Sequence, residues 1–411
     1  MLYAEQSRRA AELAARISFG RLVAWLGAQW RDIAAAEDAL AHALVKALET
    51  WPASGVPEQP DAWLMLVAKR QLLQSARHNR VRFDAATTAF LEDRQNDGDR
   101  GQGFDIPDTR LKLMFVCAHP AIDVSLRCAL MLQTILGLTA NEIAQAMLVS
   151  PTALAQRLVR AKQKIRDAGL RFEEPERAEI PARLQEVLEA IYRAFGIGVE
   201  AVDGAENRVV NLQEEALFLC GVVCELMPSS AEAKGLLALM MFGNARRGAQ
   251  RTAAGEFVPL AAQDTSLWQR DAILSADQLL WNAARFRQPG PYQLEAAIQS
   301  AHCHRLFTGI TPWHGIAALY KQLNSHFPTI GSLVAAAVAY AEAGDIAHGL
   351  AELSAIQAEA KSFQSWWVAK AHLHALVGQN SEAKVALEIA IGLTAEQSIR
   401  RHLEGRLRAL G

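Results

Sequence analysis

This sequence lacks any uninterrupted apolar run of the roughly 18–20 residues that a membrane helix needs, although 51% of its 411 residues are apolar. No membrane-spanning helix is expected. Alternating Val/Ile/Thr runs, the mark of half-buried strands, are nearly absent as well. Cysteine is scarce and odd in number: Cys117, Cys128, Cys220, Cys224 and Cys303 sit in apolar helical contexts. That pattern suits a reducing compartment better than a disulfide framework. Cys220 and Cys224 are one helical turn apart, but no second pair at matching spacing exists to complete a zinc site. His302, Cys303 and His304 are adjacent, so on a helix they point in different directions. The formal net charge is only −2, which excludes a polycation that binds any phosphate backbone. Also missing are HExxH, paired CxxC, a phosphate-cradling glycine loop and a nucleophile elbow. The expectation is a protein that is not an enzyme and needs no cofactor or metal. The first twenty residues, MLYAEQSRRAAELAARISFG, carry charges where a signal peptide has its apolar stretch, so a cytoplasmic protein is expected.

What the chain does have is Ala, Leu, Glu, Gln and Arg, with apolar residues at three-to-four spacing nearly throughout. The fold class expected is all-α. The length predicts two or three domains. Breaks are expected at Trp51–Pro60, 84–108, Glu173–Pro181, Ala201–Asn207 and Gln288–Pro291. Charge is unevenly spread. Lys69, Arg70, Arg77, Arg80 and Arg82 form one basic cluster, and Arg157, Arg160, Lys162, Lys164, Arg166 and Arg171 form another. Between them, LEDRQNDGDRGQGFDIPD reads as an acidic, flexible tether.

Residues 138–169, LTANEIAQAMLVSPTALAQRLVRAKQKIRDAG, read as a helix-turn-helix. Thr139 caps a first helix carrying Glu142, Ile143 and Ala144; a turn follows at Leu148–Ser150; Pro151 opens a second helix. On that helix Leu154, Leu158, Ala161 and Ile165 share an inward face, with Thr152, Gln156 and Gln163 opposite and Ala155, Arg160 and Arg166 on the flanks. A recognition helix needs this division, because its outer face meets base edges while cations hold phosphates. Gln156 is the candidate reader, through a bidentate amide, and Arg160 reaches guanine or phosphate.

Upstream, AAAEDALAHALVKALETW forms a helix with an apolar stripe through Ala36, Leu40, Ala43, Leu44 and Ala47; Glu37, Asp38, His42 and Lys46 lie on its other face. The next helix, PDAWLMLVAKRQLLQSARHNR, turns Trp63, Leu66 and Leu73 inward and Lys69, Arg70 and Arg77 toward a polyanion. Trp51 and Trp63 read as core anchors.

AEDALAHALVKAL, then PDAWLMLVAKRQLLQ, then EIAQAMLVSPTALAQRLVRAKQKIR occur in this order. Together they resemble the second and fourth regions of extracytoplasmic-function sigma factors, in the sigma-70 family of RNA polymerase subunits. FVCAHPAID, LEAIYRAFGIG, GLLALMMFGNARR and YQLEAAIQSAH resemble the branch of that family with a long C-terminal helical extension. Gln74, Ala155, Asn244 and Ala335–Ala336 depart from the usual residues. The resemblance implies four parts: region two over 1–83, a linker over 84–108, region four over 109–172 and the extension over 180–411. It implies core RNA polymerase as partner, with Asp38, Leu40, Ala41 and Leu44 on the clamp helices of the largest subunit and region four at the flap of the second largest. It implies promoter DNA as the other partner. Lys69, Arg70, Arg77 and Arg80 would serve the minus-10 element, and Thr152, Ala155, Gln156, Arg157, Arg160 and Lys164 the minus-35 element. A rival reading is a one-component helix-turn-helix regulator with a helical sensor that never joins polymerase.

In the last hundred residues, LVAAAVAYAEAGDIAHGLAEL and WVAKAHLHALVGQNSEAKVAL superimpose with Gly344 over Gly378, the tetratricopeptide period of about 34 residues. Ala337 and Ala371, Gly349 and Ala383, and Leu353 and Leu387 then take the packing positions, with Trp367 at the usual tryptophan. A TPR-like solenoid with a curved surface for a protein or peptide partner is expected. The aromatics and His near Trp313, His314, Trp366 and Trp367 permit a small-molecule sensor, with core packing as their plainer role.

Overall fold

The computed structural model describes residues 8, 11, 18–30, 32–80, 108–147, 149–167, 175–176, 178–200 and 206–410, of which 28, 76–80, 109, 165–167, 198–200 and 206–211 are described by backbone alone. Residues 84–107 of the expected tether at 84–108, like Arg82 and Arg171, lie outside the described residues. Among these the architecture is all-helical and has no strand, only an isolated bridge between Arg251 and Phe257. None of the helices is long and apolar enough to cross a membrane among the described residues. The chain divides into two compact units, Met1–Leu226 and Met227–Gly411.

In the first unit, α1 (Phe19–Trp30), α2 (Ile33–Ser54) and α3 (Pro60–Arg80) pack together. Asp32 starts α2 by accepting a hydrogen bond from the Ala35 N–H at 2.9 Å. Ala36, Leu40, Ala43, Ala47 and Trp51 recur at helical spacing and are all buried. The helix runs on through Pro52 to Ser54, past the expected break at Trp51. Burial of Trp51, edge-on to Trp63 with ring centroids 5.4 Å apart, keeps that last turn wound. On α3 the buried residues are Leu64, Ala68 and Leu72, whereas Leu66 and Leu73 are exposed. The inward placement expected for Leu66 and Leu73 is therefore corrected: the 64/68/72 row meets the core, and the 66/73 row lies on the far side of the helix.

Helix α5 (Val124–Thr134) is the centre of this unit, buried from Leu126 through Leu132. Against it lie α1, α4 (Thr109–Cys117) and α8 (Ile180–Glu200). At Gly20 a Cβ would stand 1.6 Å from the Ile135 carbonyl oxygen, so α1 approaches the end of α5 backbone to backbone. Arg183 of α8 donates to the Phe115 carbonyl at 3.1 Å, and Arg127 of α5 pairs with Glu186. Helix α9 (Glu206–Leu226) packs along α8. Residues 180–226, which the sequence reading gives to the extension, thus group with the first unit.

Asp108 caps α4, accepting from the Arg110 and Leu111 N–H groups, and its other oxygen meets the Arg110 guanidinium at 3.0 Å. Burial pulls this carboxyl upward, but the Arg110 hydrogen bond and charge, together with the backbone donors, hold it below the usual aspartate range. A depressed folded value gives stability that is present above the ordinary aspartate range and is lost as pH falls through the folded value. Asp108→Ala should cost about 1 kcal/mol at neutral pH. In thermal melts against pH, the gap to the wild type should close under acid; a gap that stays constant would deny the linkage.

The second unit holds α10 (Ala231–Ala245), α11 (Arg270–Ala284), α12 (Pro291–Cys303), the single turn α13 (Arg305–Thr308) and α14 (Trp313–His326). Glu232 of α10 accepts the Tyr292 and Gln293 N–H groups at 3.0 and 3.2 Å, capping α12 from a neighbouring helix. Next come α15 (Ile330–Glu342), α16 (Ile346–Ala355), the short α17 (Gln357–Ala360), α18 (Gln364–Leu376), α19 (Asn380–Leu393) and α20 (Gln397–Ala409). The pairs α15–α16 and α18–α19 turn at Gly344 and Gly378, whose φ values of 98° and 76° lie where L side chains are strained. Ala337, Ala371, Ala383, Leu353 and Leu387 are buried. At Gly349 a Cβ would lie 2.5 Å from the Ala337 carbonyl oxygen. The tryptophan wholly inside is Trp366, which donates from Nε1 to the Leu353 carbonyl at 2.9 Å; Trp367 stands edge-on beside it and is only partly buried.

Candidate nucleic-acid interface

Thr139 begins α6 (Ala140–Ala146) with a reciprocal cap: its Oγ1 accepts the Glu142 N–H at 3.3 Å, and Glu142 accepts the Thr139 N–H at 2.7 Å. The Val149 N–H donates back to the Ala144 carbonyl at 3.0 Å, closing the turn. Ser150 precedes Pro151, and α7 (Pro151–Asp167) begins. Ile143, Ala144, Leu154 and Leu158 are buried between the two helices and α5, which fixes the face that α7 turns outward. Ala161 is half-buried, and the side chain of Ile165 is outside the described ones.

Thr152, Gln156, Arg160 and Lys164 are exposed along one stretch of α7. Ala155 is half-buried at its flank. Arg157 is exposed but donates to the Ser125 Oγ at the start of α5, at 2.6 Å. Lys162 turns the other way and pairs with Glu37 of α2 at 2.5 Å, with side chains only 16% and 17% exposed. Helix α7 is therefore joined to α2 by contact and by a largely desolvated ion pair. Cys117 of α4 feels that pair: burial pushes its thiol up to about 12, Glu37 adds to the rise and Lys162 opposes it.

On α3, Arg70 is exposed between Leu66 and Leu73. Lys69 is half-buried, with its ammonium 4.1 Å from the ring centroid of Trp25 on α1. Arg77 and Arg80 fall on the last turns of α3, and their side chains are outside the described ones. Arg21 of α1 pairs with Asp61 at the start of α3, fixing the two helices at this edge.

Of the residues assigned to a protein partner, Asp38 and Ala41 are exposed and Leu44 is half-buried. Leu40 is fully buried. It belongs to the packing of α2 on its neighbours and is out of reach of a partner. The resemblance puts the whole stretch around Asp38 to Leu48 on the clamp helices, and within it Val45 and Leu48, outside the four named residues, are 51% and 48% exposed. With Ala41 they make an apolar stripe at i, i+4 and i+7 on the side of α2 away from the core. That spacing is in the sequence, but it is interleaved with Glu37, Asp38, His42 and Lys46 on the outer face.

Two comparisons with known proteins find a match, the first outside the elements of this interface. Residues 183–284 match DUF6596, a family of unknown function. Over 387 residues the chain is 32% identical to a protein of Rhizobium meliloti (strain 1021), Uncharacterized protein R00370, covering 92% of this chain and 90% of that one. No solved structure matches.

Proposed function

The chain belongs to one family with the Rhizobium meliloti protein R00370, and for this member we propose a sigma factor of the extracytoplasmic-function type, acting through binding rather than catalysis. In this reading it joins core RNA polymerase and directs promoter recognition, melting and initiation. The observation that carries it is the outer face of α7, where Thr152, Gln156, Arg160 and Lys164 stand exposed behind a turn anchored by Leu154 and Leu158. An exposed amide with cations one turn away suits a helix that reads base edges and holds phosphates. The order of motifs supports the polymerase half of the reading. The exposed stripe Ala41–Val45–Leu48 beside Asp38 offers an apolar surface with an acidic rim for the clamp helices. Arg70 with Lys69 over Trp25 offers cations beside an aromatic face for unstacked bases of the minus-10 element. The C-terminal helices serve as a regulatory extension.

Purified full-length protein added to sigma-free core polymerase should give promoter-specific initiation on the sites it occupies in its host. Specific DNA binding without initiation would replace this reading with a one-component regulator. Arg160→Ala should weaken promoter binding by about 1–3 kcal/mol, and Gln156 substitutions should change the base preferred at one upstream position. A randomised minus-35 library read equally well by Gln156 variants would remove Gln156 from the groove.

A further inference from the structure

The second unit contains a cavity of about 640 Å³ walled by α12, α14, α15, α18 and α20. That volume is within the range of small-molecule sites. Its wall is apolar and aromatic, with Trp313, Phe257, Phe363 and Val338 prominent. No Asp or Glu is among its lining residues, whereas Arg406 is. Arg406 is half-buried and has no hydrogen-bond or ion-pair partner among the described residues; burial alone holds its pKa below the ordinary value.

Cations gather along one side of the wall, while Glu295 acts on Tyr320 from another. Behind His302, Arg246 is 8% exposed, and its Nε and Nη1 have no hydrogen-bond partner. Burial, then Arg246 and Arg305, push His302 down to about 4, so it stays neutral at physiological pH. Arg305 is bound by the carbonyls of Leu260, Ala261 and Gln263, which do not cancel its charge. Two acids beside lining residues are engaged: Glu342 by His372 at 2.7 Å, and Glu256 by Arg401 at 3.0 Å. Tyr320 keeps its proton, burial having raised it to about 12, and has a hydroxyl to offer. A cavity that half-buries an arginine and sets no acid against it is incomplete, because a partly desolvated cation lacks the partner that offsets its cost.

We propose that this cavity binds a small organic anion with an apolar, ring-sized body, its acidic group held by Arg406 and its body packed against Trp313, Phe363 and Val338. The site goes beyond the transcriptional reading and does not depend on it. Charge complementarity and volume favour a small molecule over a peptide.

The test uses the full chain and two fluorescent probes of similar shape, anionic anilinonaphthalenesulfonate and neutral N-phenylnaphthylamine. Saturable one-to-one binding is expected, with the anion preferred. Arg406→Gln should weaken the anion roughly tenfold or more while sparing the neutral probe, and Arg406→Lys should restore part of the preference. Ala335→Phe, which fills the cavity, should weaken both probes; melting curves on each variant confirm that it is folded. The proposal is overturned if neither probe saturates, if Arg406→Gln keeps the wild-type preference, or if folded Ala335→Phe binds both probes normally. Displacement of the anion by an acetylated tetrapeptide with a free carboxylate at matching affinity would overturn the small-molecule assignment and give the site to a chain terminus.

Discussion

Gly20→Ala should lower the melting temperature of the first unit by several degrees, although it adds a single methyl group to a helix. The added Cβ would lie 1.6 Å from the Ile135 carbonyl oxygen and 2.6 Å from its carbon, and both atoms are backbone. No rotamer change relieves such a contact. Helices α1 and α5 must part, and with them the packing around Leu22, Val23 and Leu26, all buried on α1. Overpacking of this kind costs about 1–3 kcal/mol or more, and in a domain of this size each kcal/mol moves the midpoint by about 2–4 °C. Gly196→Ala is the control. Gly196 is on α8 with nothing within 4 Å of its would-be Cβ, so the gain in helix propensity should raise stability by up to about 1 kcal/mol. Opposite signs for the two substitutions are the expected outcome. Equal effects would mean that α1 does not meet α5 at Gly20.

Trp366→Ala should be the most damaging truncation in the second unit. The side chain is 1% exposed and packs in one cluster with Val334, Ala337, Leu353 and Leu373. Emptying a site of this size costs about 3–5 kcal/mol. The Leu353 carbonyl would also lose its donor at 2.9 Å. Trp366→Phe isolates that second loss: it keeps most of the packing and forfeits the hydrogen bond, for about 1 kcal/mol. Denaturant midpoints should fall in the order wild type, Trp366→Phe, Trp366→Ala. Trp367→Ala should fall between wild type and Trp366→Ala, since its ring is only partly buried, and a larger loss at Trp367 would reverse the assignment of which tryptophan anchors the repeat.

The elements that sequence reasoning reached are those whose signals are local. Thr139 with Glu142 announces a cap three residues long in reach, and Leu154 with Leu158 announces which way α7 turns. The helical pairs around Gly344 and Gly378 were legible for the same reason, because the turn needs a positive φ and the period repeats it. What escaped depends on neighbours far along the chain. Leu66 and Leu73 are as apolar as Leu64 and Leu72, and only the placement of α1 and α2 decides which row is covered. Leu40 and Val45 share a helix whose apolar residues fall on the polar face as well as on the buried one, so composition alone does not separate core from stripe. The grouping of α8 with the first unit rests on Arg127–Glu186 and on Arg183 with the Phe115 carbonyl, pairs whose partners are dozens of residues apart. The cavity is further still from view, since Phe257, Trp313, Phe363 and Arg406 meet only after folding.

The Lys162–Glu37 pair makes ionic strength act unequally on the two sides of α7. At 16% and 17% exposure the pair is sheltered from counterions. Arg160 and Lys164, on the outer side, stand in solvent, where any hold on a phosphate backbone fades steeply as salt displaces it. Added salt therefore loosens the outward grip of α7 while leaving its attachment to α2 nearly intact. In the promoter-binding reading, rising salt releases DNA from a helix whose own seat on α2 does not change.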